Sequence, residues 1–292
     1  MTFKEQYIPA TKRKSIQHLY DEKNPMKPSE FLSFCRALKP NPILTNKNSK
    51  FSEKIDGFGF RFGLDSYGNF FIESSNSGPI FSKGSFRNHS TEKHGSSNEI
   101  AEAYEQLFEQ LESNKKLQFF LGDNNKNGIK VVCECLFTSL GKKNNGKIKF
   151  VSIEYDEDKL GKVATFSIIK ITDARENAVD CVNDLWKMSD ENFKFVSSYH
   201  PEFQIDFSKE VFAALDIPDA EISLKNMKKD SNSVTKKKEV NEKLLTIQKQ
   251  MKENVLGKYR TGILGDSVEG FVLDFQGFVV KFVTDDFRNG KV

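Results

Sequence analysis

The chain is poor in the residues that build metal centres, disulfide scaffolds and membrane spans. Its 292 residues include four cysteines, four histidines and one tryptophan. Cys35, Cys133, Cys135 and Cys181 show no Cys-x-x-Cys spacing, which argues against a zinc ribbon or a thioredoxin-type centre. Cys133 and Cys135 lie two apart on one strand and share a face, so they are poorly placed to bridge each other. Reduced thiols in a cytoplasm are the expectation. The histidines show no metal-ligand spacing. No apolar run approaches the ~18 residues of a transmembrane helix, and the first residues, Met-Thr-Phe-Lys-Glu-Gln, lack the apolar stretch of a secretory leader. No membrane association is expected. A formal net charge of +3 does not by itself argue for a nucleic-acid partner.

What the chain has in quantity is phenylalanine, 27 in all, much of it at alternating positions. Phe58, Phe60, Phe62 and Leu64 share a face, Ser66 to Asn69 reads as a turn, and Phe70 to Ser74 returns, the pattern of an antiparallel meander. Gly78-Pro79 marks a further turn before Ile80. Strands are expected at about 129–137, 147–155 and 162–171. A last pair spans 271–283 about a turn at Gln276-Gly277. Helices are expected from Ser29 as N-cap to Leu38, and from a capping box at Ser96 and Glu99 to about Lys115. Others are expected from Ser208 to Leu215 and from Glu239 to Leu256. Leu244, Ile247, Met251 and Val255 form a narrow apolar stripe that suits packing on a sheet.

Residues 173–256 read as mostly helical, and 225–238 as the best candidate for disorder. Lysine is in excess from Lys225 to Lys258, including Lys228-Lys229 and Lys236-Lys237-Lys238. That excess suits either a solvated helix face or a patch that tracks phosphates.

The chemistry-bearing residues follow one another in a defined order. Lys54-Ile55-Asp56-Gly57 opens the first strand region. Glu134 stands inside the apolar strand Val131 to Phe137, and Glu269-Gly270-Phe271-Val272 follows. Lys281 lies within Val279 to Val283. A lysine, two strand-borne acids and a second lysine suit attack on a nucleotide phosphate.

This order resembles the nucleotidyltransferase core of ATP-dependent polynucleotide ligases and mRNA capping enzymes, over roughly residues 50–285. Lys54-Ile55-Asp56-Gly57 looks like the nucleophile motif, and Val132 to Leu136 like the motif with an acid among apolar residues. Lys149 to Ile153 stands in place of the strand after it. Glu269-Gly270-Phe271-Val272 is close to the Glu-Gly-x-Val motif, and Lys281 falls at the terminal lysine motif. Ser15 to Asp21, and the ending Val280 to Phe287, are similar to tailed-phage RNA-ligase-like proteins.

The resemblance implies an α+β fold, an ATP-grasp-like ligase adenylation core with antiparallel sheets flanking an ATP cleft. An arm and helix at 1–50 precede the nucleotidyltransferase domain at 51–292, which carries a helical lysine-rich insertion at about 173–260. No C-terminal OB domain is expected. The implied substrate is ATP and the implied metal Mg²⁺ or Mn²⁺. The implied partner is a nucleic acid with 5′-phosphate and 3′-hydroxyl ends, RNA or DNA, with the resemblance leaning to RNA. A monomer in the cytoplasm is expected, the host's if the chain is phage-encoded.

By this resemblance Lys54 attacks the α-phosphate and holds a lysyl-AMP. Lys281 neutralises the α-phosphate, Asp56 orients the lysine loop, and Gly57 lets the backbone pass close to the nucleotide. Glu134 contacts the ribose, and Glu269, Asp56 and Glu134 are the candidate metal ligands. Arg61 shares a strand face with Gly59, where family members often have arginine, and could contact the nucleotide in its stead. Phe150 could stack on adenine or belong to the core. The family's second terminal lysine is replaced by Val283. Two other readings therefore stand beside the ligase: an adenylyltransferase with a non-nucleic-acid acceptor, and a degenerate core that binds nucleic acid without catalysis.

Overall fold

The computed structural model describes residues 16–74, 78–82, 98–125, 128–150, 153–173, 175–179, 181–200, 202–217, 231–285 and 287. They form an α+β fold in which the longer helices pack against one face of each of two main sheets.

The strands are β1 (Gln17–His18), β2 (Ile43–Thr45), β3 (Lys50–Lys54), β4 (Phe58–Leu64), β5 (Phe70–Ser74), β6 (Ile129–Phe137), β7 (Lys142–Asn144), β8 (Lys147–Lys149), β9 (Glu154–Asp156), β10 (Ala164–Asp173), β11 (Phe193–Ser197), β12 (Gln204–Asp206), β13 (Gly270–Phe275) and β14 (Phe278–Val283). The helices are α1 (Pro28–Leu38), α2 (Asn98–Ser113), α3 (Lys115–Asp123), α4 (Val182–Trp186), α5 (Ser208–Leu215) and α6 (Ser231–Lys258).

The first sheet has the order β1-β14-β13-β3 and the second β11-β10-β6-β4-β5. Strand alternation decides what each face does. In the first sheet Phe51, Phe271, Leu273, Val280 and Phe282 face α1, α5 and α6, with Phe51 and Phe271 stacked 4.9 Å apart. In the second, Phe60, Phe62, Cys133, Cys135, Phe166 and Phe195 join α2, α3 and α4 in the larger core. Each fully buried phenylalanine contributes about 1.5–3 kcal/mol of apolar transfer. The abundance of phenylalanine is thus spent on fixing two separate helix-on-sheet layers. The alternate positions, among them Lys54, Lys281, Glu134 and Arg61, fall on the helix-free faces.

The two sheets are joined where the chain passes from β11 to the segment 198–200. Glu53 donates its N–H to the Ser198 carbonyl at 2.8 Å, and His200 donates to Phe51 at 3.0 Å. A third cluster, including Ile55, Leu136, Tyr155, Leu264 and the partly buried Val196 and Phe287, gathers side chains from both halves.

Several expectations are corrected by this architecture. Ser29 does not cap α1; Pro28 opens the helix with its φ already set, and the Ser29 carbonyl accepts from Ser33 Oγ. A separate helix, α3, follows α2 after Asn114, whose side chain caps it by accepting from Leu117 N at 3.1 Å. The strand expected at 147–155 is two short strands, β8 and β9. The described part of the stretch 173–256 is mostly helical, but it is not helical throughout. It contains β11, a strand of the second sheet, and β12, which pairs with β2. Residues 231–238, read as disorder-prone, belong to α6. The last part of the arm is docked: β1 pairs with β14, and Leu19 and Met26 are buried. Ser96 and Lys228-Lys229 lie outside the described residues. Among the described residues no helix is long and apolar enough to cross a membrane.

Candidate functional site

Lys54 is the last residue of β3, the point at which the chain leaves the first sheet for the second. Its register partner is Gly270 of β13. Because Glu269 immediately precedes that glycine, the end of β3 meets the acid head-on. Lys54 Nζ and Glu269 Oε1 form an ion pair in which the lysine is 30% and the carboxylate 3% exposed. Gly270 has φ +156°, and a Cβ there would stand 2.0 Å from the Phe282 carbonyl oxygen. The Glu-Gly dipeptide therefore has a physical reason: only glycine lets β14 close on β13 beside the acid.

Lys281, on β14, stands opposite Val272 of β13, and Val272 stands opposite Ser52 of β3. Lys281 thus shares the helix-free face with Lys54. Burial pushes its ammonium below the ordinary lysine range, and repulsion from Lys54 adds to this. Burial pushes Glu269 up to about 6, against the pull of Lys54 and Lys281 and with the repulsion of Asp56. These four groups feel one another, and that is the electrostatic signature of a shared site.

Asp56 donates its backbone N–H to the Tyr155 hydroxyl at 2.9 Å, which fixes the turn between Lys54 and Gly57. Gly57 passes against β6: a Cβ there would lie 2.9 Å from the Cys135 carbonyl oxygen. Glu134 is placed by register rather than by contact with the lysine. It stands opposite Gly59 on β4 and Ser167 on β10, on the helix-free face of the second sheet and half-buried.

Two proposed nucleotide contacts have other partners. Arg61 is buried, and its guanidinium is bonded to Glu73, its register partner on β5. Phe150 sits at the end of β8 and packs against the third cluster, 5.8 Å from the Tyr155 ring.

Three residues around the lysine had no role in the sequence reading. Phe287 covers Lys54, its ring centroid 5.9 Å from Nζ. Tyr155 anchors Asp56. Glu53, on the opposite face from Lys54, accepts from Ile263 N at 2.6 Å and ties the loop after α6 to β3. Strand alternation alone would have turned Glu53 inward, which is the one signal available for it.

Comparison with protein-family models and with curated proteins finds no match to this chain. What the site can do follows from its own side chains.

A divalent cation fits these residues in one respect. Glu269 Oε2 is buried without a hydrogen-bond partner among the described residues, and Asp56 is near enough to perturb its carboxyl. Among the described residues no group of three or more histidines, cysteines or acids converges on one point. A Mg²⁺ ion held by one or two carboxylates would take its remaining ligands from water and substrate phosphates, its usual habit.

Proposed function

We propose that the chain is an ATP-dependent polynucleotide ligase, with RNA ends the favoured acceptor, acting through a lysyl-AMP on Lys54. The observation that carries the reading is the Lys54–Glu269 pair, with Lys281 on the same helix-free face.

The amine of Lys54 attacks the α-phosphorus of ATP. A nitrogen–phosphorus bond forms, and the bond to the bridging oxygen breaks, its electron pair leaving with pyrophosphate. The ammonium form has no lone pair, so one proton must leave Nζ before attack, and a second leaves the nitrogen to solvent once the nitrogen–phosphorus bond has formed. Glu269 is in contact with Nζ, and its carboxyl, held near 6, is a stronger base than an ordinary glutamate. Lys281 shares the face of Lys54 and supplies a positive charge beside the reacting phosphate. Asp56, clamped through its backbone to Tyr155, keeps the lysine loop in one conformation. Glu134 lies across on β6 to meet the nucleoside. Glu269 and Asp56 would hold Mg²⁺ or Mn²⁺, which supplies charge compensation at the phosphates. The AMP then passes to a 5′-phosphate, and a 3′-hydroxyl displaces it.

Val283, at the position of a second lysine on the Lys281 face, leaves room for the other enzymatic reading, an adenylyltransferase with a non-nucleic-acid acceptor. Incubation with α-labelled ATP and Mg²⁺, followed by a denaturing gel, tests both. A label on the wild-type chain that Lys54→Ala abolishes is expected; no label leaves only a binding module. A chase onto 5′-phosphorylated RNA or nicked duplex divides ligase from transferase.

A further inference from the structure

The reaction at Lys54 leaves one charged cavity without a role. It measures about 240 Å³ and is lined by Tyr20 after β1, the last turns of α6, and Asp285 after β14. Three cations line it, Lys249, Lys252 and Arg260, against two acids, Glu253 and Asp285. The acids leave part of that charge open. Lys249 and Glu253 are 3.9 Å apart, an exposed i,i+4 pair of little strength. Lys252 is bonded to Asp285 at 2.6 Å, and the partners are unequal: the lysine side chain is 4% and the aspartate 71% exposed. The ammonium is built into the wall, while the carboxylate sits at the rim, where an incoming anion can displace it. Arg260 is paired with no carboxylate among the described residues. Its Nε donates to the Gly257 carbonyl at 3.1 Å, which sets the plane of the guanidinium and leaves its terminal amino groups open to the cavity's anion.

The surroundings suit a strand better than a lone phosphate. Tyr20 sets a half-buried ring beside the cations, its centroid 5.8 Å from Lys252 Nζ. Cations for phosphate and an aromatic ring for a base are the two parts of a site for unpaired nucleic acid. The exposed Lys238 stands eleven residues before Lys249, close to three helical turns, so it lies on the same side of α6 about 16 Å further along. The cavity also lies at the right end of the sheet. Val283 pairs with Gly270 and Gly270 with Lys54, so β14 ends level with the nucleophile. Asp285 is two residues beyond that end. From Asp285 to Phe287, whose ring covers Lys54, is at most about 7 Å of chain.

We infer that this cavity seats one nucleotide of a single-stranded acceptor. A backbone phosphate lies among Arg260, Lys249 and Lys252, the base lies against Tyr20, and the strand continues along α6 past Lys238. The choice of a nucleic-acid strand as the occupant rests on the ligase reading. No covalent bond changes; the phosphate replaces the Asp285 carboxylate as the partner of Lys252.

Binding of a fluorescein-labelled, 5′-phosphorylated single-stranded RNA, followed by anisotropy without ATP over a range of salt, tests this. Each variant is checked for folding by thermal melting. Arg260→Ala and Lys249→Ala, both at exposed positions, should each weaken binding by about three- to tenfold and flatten the dependence of log affinity on log salt by about 0.7. Tyr20→Ala should cost about tenfold, and Tyr20→Phe, which keeps the ring, almost nothing. Asp285→Asn removes the competing charge and should tighten binding, the opposite of what loss of a merely structural contact would do. Affinity within about twofold of wild type in both Arg260→Ala and Tyr20→Ala, or weaker binding by a folded Asp285→Asn, overturns the inference. Displacement of the RNA by inorganic phosphate at an equal concentration of phosphate groups would make the cavity a free-anion site and overturns it too. A wild-type chain that binds RNA through these residues yet takes no label from ATP overturns the ligase reading alone. A chain that takes the label but binds RNA independently of Arg260 and Tyr20 overturns this inference alone.

Discussion

Lys54 and Glu269, far apart in the chain, are joined as an ion pair because the end of β3 pairs with the start of β13. The partners are unequal. The carboxylate is nearly inaccessible while the amine keeps a path to solvent, so the acid is fixed and the lysine can move toward a substrate. Glu269→Gln keeps the shape and still accepts from Lys54, but it cannot take a proton or bind a cation well. Adenylation should fall by about 100-fold or more, with a change in unfolding free energy near 1 kcal/mol. Rapid-quench labelling with ATP alongside urea titration separates the two effects. Full activity in Glu269→Gln would remove the acid from the mechanism.

Much of this arrangement was legible in the sequence, for reasons particular to each element. The meander of β4 and β5 and the hairpin of β13 and β14 announce themselves by alternating phenylalanines around turn residues. At Gln276 and Gly277 the φ values of +48° and +83° are those of a type I′ turn. Lys54, Glu269, Asp56 and Lys281 are close enough to interact, whereas Glu134 is placed only by its register on the second sheet. What stayed hidden depends on long-range partners. Arg61 looked like a nucleotide contact because same-face spacing says nothing about what stands opposite, and Glu73 stands there. β11 escaped notice because a five-residue strand that pairs in parallel with a distant neighbour has only its own short pattern to show. β1 is a two-residue strand whose existence depends on β14.

Glu53 gives the fold a measurable response to pH. Burial raises its carboxyl to about 7, partly offset by the hydrogen bond from Ile263 N. The folded state therefore holds a proton that the unfolded chain, with a carboxyl near 4.5, releases. Between about pH 4.5 and 7 the native state binds more protons, so stability falls as pH rises through that window. The loss is on the order of 2–3 kcal/mol. Glu269, raised to about 6, acts in the same direction over a narrower range. Denaturant titrations at pH 5 and 8 should show the drop, and Glu53→Gln should remove most of it. A wild-type protein that is more stable at pH 8 than at pH 5 would contradict the buried-acid account.

Gly270→Ala tests whether strand closure builds the site. The added methyl meets the Phe282 carbonyl oxygen at 2.0 Å, a backbone atom that cannot swing aside. Either β13 and β14 separate or the chain around Glu269 shifts. A cost of about 3 kcal/mol is expected, with adenylation reduced further than the melting temperature alone would explain. Gly57→Ala should be milder in stability, because its methyl would approach the Cys135 carbonyl oxygen only to 2.9 Å. Equal stability of Gly270→Ala and wild type by thermal melting would show that the hairpin tolerates what the geometry forbids.

The buried pair Arg61–Glu73 separates a structural arginine from a nucleotide-binding one. Both side chains are inaccessible, and Glu73 Oε2 has no hydrogen-bond partner among the described residues. Removing one charge strands the other in a poorly polar interior, so Glu73→Gln should cost about 3–5 kcal/mol. Replacing both with apolar residues of similar volume, as in Arg61→Met with Glu73→Leu, removes the stranded charge and should recover most of that loss. The double variant then asks the functional question directly. If Arg61 serves only to neutralise Glu73, the ATP concentration that half-saturates lysyl-AMP formation stays within about threefold of wild type. If the guanidinium also reaches the nucleotide, affinity falls by the tenfold or more expected for losing a charge-assisted contact, even though the fold is restored.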